Sequence, residues 1–350
     1  MLFRLLLVCT IIGFAGFYYA LQIGESENQS RYEKALLLMD EYTGDPSLLK
    51  KAHELLKEIE IDAPNSKYVF VGYARLLYKS GYINYQNYNK DSIEKSKAYI
   101  EKAILIDPNF FDAYFYGAYP YLFSKDFVRA NQLANHAEKL APNSAKVDVL
   151  HGEIAKKEGN YDAVIMNAKA AIEKMPNNKV LIDAYYQLIS AYKSKKEYDL
   201  VESMYQKVIE IEPSSPWVRV NYSSFLSDVR KNYDESIEQG EIALGLMDFG
   251  MGHKVLGKAY YAKAAQLHWK EKQYEESIRY YLLSIEHDPA NSNAHYGLGM
   301  SYYIIGYNNK DKSQIIQAEM FLDKAVQINP DNNQAIEQLK NVKLLRRKLS

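Results

Sequence analysis

The sequence predicts an all-α solenoid of about eight stacked helix pairs, and three observations predict it. The first is a ladder of prolines. Pro64, Pro108, Pro142, Pro176, Pro213, Pro289 and Pro330 close the similar phrases IDAP, IDP, LAP, KMP, IEP, HDP and INP, at steps of 44, 34, 34, 37, 76 and 41 residues. A degenerate repeat ending near Met247 divides the longest step. A period near 34 residues marks an array of two-helix units. Second, KAHELLKEIEI and AEMFLDKAVQI carry apolar residues three and four apart, as one-sided helices must. Third, the residue before a proline leaves the helical region, so the Asp-Pro and Ala-Pro phrases end the second helix of each unit. One pair cannot bury its own apolar face; stacked neighbours can.

Composition narrows the function classes. The 350 residues are 47% hydrophobic and 25% charged, ordinary for a chain with an adequate core. A net charge of -1 supplies no field to recruit nucleic acid, and no nucleic-acid partner is expected. Tyrosine is abundant, with 32 Tyr against 12 Phe and 2 Trp. The single cysteine, Cys9, excludes an intrachain disulfide and a zinc cluster built on thiolates.

Residues 1–24 read differently from the rest. Leu5 to Leu21 contains no charged residue, and with Gln22 and Ile23 it is long enough to cross a hydrocarbon core of about 30 Å. Arg4 precedes the run and Glu25 and Glu27 follow it. The charge bias then places the N-terminus in the cytoplasm and the array in the periplasm or another extracytoplasmic space. Tyr18 and Tyr19 suit the far interface. The expected element is one transmembrane helix, a retained anchor with membrane contact through residues 5–23. A signal peptide is the alternative, although bulky Tyr18 sits where a cleavage site needs a small residue. Cys9 reads as a small apolar side chain in that run.

Residues 30–330 form the array, with units ending near 64, 108, 142, 176, 213, 247, 289 and 330. The unit from Phe111 shows Tyr114, Gly117-Ala118, Tyr121, Ala130, Ala134, Ala137 and Pro142. The unit from Ala145 shows Gly152, Ala168, Ala171 and Pro176. The unit from Ile182 shows Tyr185, Leu188, Tyr192, Tyr205 and Pro213. The unit from Ser292 shows Leu298-Gly299, Tyr302, Ala318, Leu322, Ala325 and Pro330. This pattern of small and large residues resembles the tetratricopeptide repeat (TPR) family. The small residues let paired helices approach, and the large ones fill the space between them.

Three departures mark the array. Tyr82 to Asn89 and Tyr307 to Lys312 are polar insertions between the two helices of a pair, and both are expected to be loops projecting from one edge. Pro120 falls inside a first helix, where it should kink the helix or end it early. Residues 331–350 carry an apolar stripe of Ala335, Ile336, Leu339, Val342 and Leu345. Lys340, Lys343, Arg346, Arg347 and Lys348 lie on the other side, as a C-terminal capping helix with a basic end would have them.

The resemblance implies a right-handed superhelix whose first helices line a concave groove. In the best-known peptide-binding branch, Lys at the fifth position and Asn at the ninth clamp a terminal carboxylate. Here the fifth reads Val71, Phe115, Val149, Tyr186, Asn221, Ala262 and Tyr296. The ninth reads Arg75, Tyr119, Glu153, Ser190, Phe225, Gln266 and Met300. That clamp is therefore not expected. Aromatic side chains fall on the inner positions instead: Tyr68, Tyr78, Phe115, Tyr119, Phe123, Tyr186, Phe225, Trp269, Tyr296 and Tyr303. Rings of this kind give large contact area with few rotatable bonds, which suits an extended peptide or a partner helix.

No chemistry is legible. No HExxH, GxxxxGK[ST] or GxSxG motif occurs, and Gly297-Leu298-Gly299 is explained by helix packing. No catalytic residue, cofactor or metal is therefore expected. The expected function is a membrane-anchored protein–protein interaction scaffold that assembles an envelope or secretion complex around a protein partner. The alternatives are a periplasmic polysaccharide-handling or export module binding a glycan, and an adaptor facing the cytoplasm.

Overall fold

The computed structural model describes residues 24–84 and 87–349. The chain falls into two compact units, Met1–Lys195 and Lys196–Ser350. In the first, residues 24–41 form α1, followed by α2 (Pro46–Asp62), α3 (Lys67–Ser80), a hairpin of β1 (Tyr82–Asn84) and β2 (Asn87–Tyr88), α4 (Lys90–Ile106), α5 (Phe111–Phe115), α6 (Ala118–Phe123), α7 (Phe127–Leu140), α8 (Ala145–Glu158), α9 (Tyr161–Glu173) and α10 (Asn178–Lys195). The second contains α11 (Tyr198–Ile211), α12 (Pro216–Phe225), α13 (Tyr233–Leu246), α14 (Gly250–Ala265), α15 (Tyr274–His287), α16 (Ser292–Asn309), α17 (Lys312–Ile328) and α18 (Asn333–Lys348).

The expected transmembrane helix is overturned: among the described residues no helix is long and apolar enough to cross a membrane. Even α16, eighteen residues without a Lys, Arg, Asp or Glu, carries asparagines, serines, a histidine and tyrosines that lower its hydropathy. The fold class is corrected accordingly to an all-α solenoid of helix pairs with a small hairpin. Residues 5–23, on which the anchor or signal peptide was placed together with Cys9, Tyr18 and Tyr19, lie outside the described residues.

Most pairs use two stop signals. The second helix ends at a residue held extended by the following proline, as at Ala63 (φ -149°), Asp107 (φ -137°), Glu212 (φ -132°) and Asp288 (φ -137°). The first helix ends on a left-handed residue, Lys125, Gly159, Lys196, Lys231, Lys272 or Lys310. Its follower bonds back to the carbonyl five positions earlier, as Asn160 N–H does to Ala155 O at 2.9 Å, or six positions earlier, as Gln273 N–H does to Leu267 O at 2.9 Å. In α12 and α14 this last turn widens to a π-helical one, Leu226–Arg230 and Gln266–Glu271.

The departures resolve differently from expectation. The Tyr307 to Lys312 insertion is not a projecting loop. Helix α16 runs through Tyr307 to Asn309, Lys310 turns the chain at φ 53°, and the Asp311 side chain caps α17 by accepting from Ser313 and Gln314 N–H. The residues lengthen both helices because the cap and the left-handed turn follow one another directly. The Tyr82 to Asn89 segment is also not an irregular loop: its described residues form an antiparallel hairpin with Tyr82 opposite Tyr88 and Asn84 opposite Asn87, and residues 85–86 lie outside the described set. Near Pro120 the first helix breaks in two, but the break falls at Tyr116 and Gly117. Pro120 stands in the first turn of α6, where a missing N–H costs nothing. Helix α18 buries Ala335, Leu339 and Val342, leaves Lys340 and Lys343 in solvent, and pairs Arg346 with Glu319 at 3.1 Å.

Close helix contact explains Gly297. A Cβ there would stand 2.3 Å from Cζ of Tyr281, a fully buried ring. Gly297→Ala should therefore cost about 2 kcal/mol through overpacking. Both tryptophans, Trp217 and Trp269, lie in the second unit, so urea unfolding followed by their fluorescence measures it. An unchanged midpoint would mean the ring moves aside freely.

Candidate functional site

The first unit holds a cavity of about 1010 Å³. Helix α1 contributes Leu37 and Asp40, α3 contributes Arg75, Tyr78 and Lys79, and the hairpin contributes Tyr82 and Tyr88. Residues Phe115, Tyr116, Tyr119 and Phe123 come from the broken helix α5–α6, Lys146 and Val149 from α8, and Lys179, Val180 and Asp183 from α10.

One wall is a continuous stack of rings. Tyr78 lies 5.9 Å from Tyr119 and 5.6 Å from Phe123, and Tyr119 lies 6.0 Å from Phe115. Tyr88 stacks on Phe123 at 4.1 Å and meets Tyr82 edge-on at 5.5 Å. The hairpin is thus what brings the polar insertion into the site: its alternation aims Tyr88 at α6. Burial pushes the Tyr78 and Tyr88 hydroxyls up to about 12, so both stay neutral donors at physiological pH.

The other wall is charged. Arg75 is 3% exposed. Its guanidinium donates to Leu36 O at 3.0 Å, pairs with Asp40 and lies 4.4 Å over the Tyr116 ring. Lys179 stands 3.4 Å from the same Asp40 carboxylate. Burial alone would raise that carboxyl, but Arg75 and then Lys179 hold it below its ordinary value. Lys79 is pushed down to about 8, mainly by burial and further by the Arg75 charge. Burial pushes the Asp183 carboxyl up.

Of the ten aromatic residues placed on inner positions, the cavity brings together Tyr78, Phe115, Tyr119 and Phe123. Tyr68 is in the same unit but lies in the core, 5.2 Å from Tyr32 and 5.5 Å from Phe110. Tyr186 is half-buried on α10 and is not part of the cavity wall. The other four belong to the second unit. Phe225 is buried 5.8 Å from Tyr205, Trp269 is 45% exposed beside His268, and Tyr296 and Tyr303 are half-buried around Met300. Sequence reasoning missed Asp40, Lys79, Lys146, Lys179, Asp183, Tyr82 and Tyr88 as site residues, and treated Arg75 only as a clamp position. One signal was available: a lone arginine inside the run from Tyr68 to Tyr78 can be buried only with a partner. Among the described residues no group of three or more His, Cys, Asp and Glu could hold a metal ion.

The tetratricopeptide repeat family model matches residues 74–110, 182–215, 257–291 and 301–332. A TPR repeat-containing protein of Methanocaldococcus jannaschii is 24% identical over 211 residues, covering 58% of this chain and 34% of its own length. The chain thus spans about a third of that relative. Among solved structures, the C-terminal part of a TPR repeat-containing protein from Cytophaga hutchinsonii matches 77% of this chain and 99% of its own, at 17% identity and a TM-score of 0.57. Yeast Tom70 matches 86% of this chain and 60% of its own, at 19% identity and a TM-score of 0.46. Four segments of the chain thus match the tetratricopeptide repeat model, and they lie in helix pairs most of which close on the proline phrases.

Proposed function

We propose that the protein is an interaction scaffold and that the cavity of its first unit docks an extended segment of a partner protein, seating an aromatic side chain among Tyr78, Tyr88, Tyr119 and Phe123. The ring stack carries this reading. It forms one face of a cavity at the upper end of the roughly 300–1000 Å³ usual for ligand pockets, and it presents hydroxyls beside apolar faces. Rings fixed by their neighbours lose little entropy on binding, so their contact area converts into affinity. The array around them supplies rigidity, since each pair is held by the next.

Selection of random peptides displayed on phage against the full chain tests the reading. Selected peptides should share an aromatic residue and lose at least about tenfold in affinity for a Tyr119→Ala/Phe123→Ala variant, as anchor residues of a docking site do. Peptides that bind the variant as well as the wild type would place docking elsewhere.

A further inference from the structure

The charged wall of the cavity is not balanced. Around the Lys79 ammonium on α3 stand two cations and two carboxylates, Arg75 on α3, Lys179 and Asp183 on α10, and Asp40 on α1, and Lys146 adds a further cation to the lining. Asp40 is already engaged by Arg75 and Lys179. Among the described residues, no carboxylate lies within ion-pair distance of the Lys79 ammonium. That ammonium is half-buried and lines the same cavity as the ring of Tyr78, its neighbour in sequence. A half-buried cation without an ion-pair partner is under-compensated, and a ligand carboxylate would both neutralise the cluster and complete it.

We propose that Lys79 receives the carboxylate of an Asp or Glu side chain in the partner segment, next to the aromatic residue that enters the ring stack. The inference rests on the docking reading above and names its ligand class: an internal acidic–aromatic segment. Arg75 is a positioning residue here, since its guanidinium is already held by Asp40, Leu36 O and Tyr116. The depressed affinity of Lys79 for its proton agrees with an empty partner position. Burial is the first cause and Arg75 the second, with Lys179 acting in the same direction and Asp40 and Asp183 opposing. An arriving carboxylate raises it again, so binding near pH 8.5 draws a proton onto Lys79.

The test uses the full chain and Gly/Ser octapeptides, acetylated and amidated, with Phe–Glu, Phe–Gln or Ala–Glu at the centre, read by fluorescence anisotropy. A fourth probe carries Phe–Gln with a free C-terminal carboxylate. The Phe–Glu probe should bind at least about tenfold tighter than Phe–Gln, the range of one charge-assisted hydrogen bond. Lys79→Gln should erase that difference while keeping the Phe–Gln affinity. Calorimetry at pH 8.5 in two buffers of different ionisation heat should show proton uptake with Phe–Glu in the wild type and none in Lys79→Gln. Equal binding of Phe–Glu and Phe–Gln, a preference that survives Lys79→Gln, or a gain confined to the free-carboxylate probe would each overturn the proposal and leave ring docking standing. Failure of every Phe-bearing probe to bind would sink the docking reading and the proposal with it.

Discussion

Asp40→Ala is expected to destabilise the first unit by about 3 kcal/mol, the low end of what breaking a buried ion pair costs. The size follows from an asymmetry. Arg75 is almost wholly buried, whereas the Asp40 side chain is 34% exposed. Removing the carboxylate strands a charge that cannot return to water; only Leu36 O and the Tyr116 ring remain to it. Removing the guanidinium leaves a carboxylate that Lys179 and solvent can satisfy. Arg75→Met should thus cost clearly less than Asp40→Ala, and the double variant should recover most of the loss. Native-state hydrogen exchange of the α3 amides measures the local opening free energy. Equal losses for the two single variants, or no recovery in the double, would show that the pair contributes packing alone. The Asp40 contribution is also pH-dependent. Its folded carboxyl is held below the ordinary value, so the stabilisation is present above the normal carboxylate range and fades as pH falls through it.

The same pair shows where sequence reading stops. The proline phrases and the three-and-four spacing concern neighbours along one helix or between adjacent helices, and the helix pairs they mark were legible. The Tyr78, Phe115, Tyr119 and Phe123 cluster was legible too, because Tyr78 lies on α3 and the other three keep a four-residue spacing across the break at Tyr116 and Gly117. Asp40 was not, because α1 precedes the clear repeats and its contacts with Arg75 and Lys179 bridge 35 and 139 residues of chain. Tyr88 was hidden for another reason. A polar insertion carries no periodicity, so only the hairpin register determines which of its tyrosines faces α6. At Tyr307 the error ran the other way. Polarity suggested a loop, while the Asp311 cap and the left-handed Lys310 let both helices extend.

Acid should weaken the second unit through His268. The ring is fully buried. Its Nδ1 lies 2.7 Å from Ser301 Oγ, and that hydroxyl donates to Gly297 O at 3.0 Å, so Nδ1 carries the proton and donates to the serine. Nε2 then holds a bare lone pair with no partner among the described residues. A second proton would have to sit on Nε2 without an acceptor, between Trp269, Tyr274 and Tyr281. Burial therefore pushes the imidazole down to about 4, with the Lys272 charge adding to the shift. An unfolded histidine takes its proton near pH 6.5, so from there down to about pH 4 the unfolded chain binds more protons than the folded one. The stabilisation is complete above pH 6.5 and lost across that window, roughly 3 kcal/mol in all. His287 and His295, also pushed down by burial, add in the same direction. Urea midpoints followed by tryptophan fluorescence should fall steadily from pH 6.5 to 4. His268→Asn keeps a donor for Ser301 and removes the titration, so most of the slope should disappear with it. A slope unchanged in that variant would assign the acid sensitivity to the carboxylates and to the other two histidines.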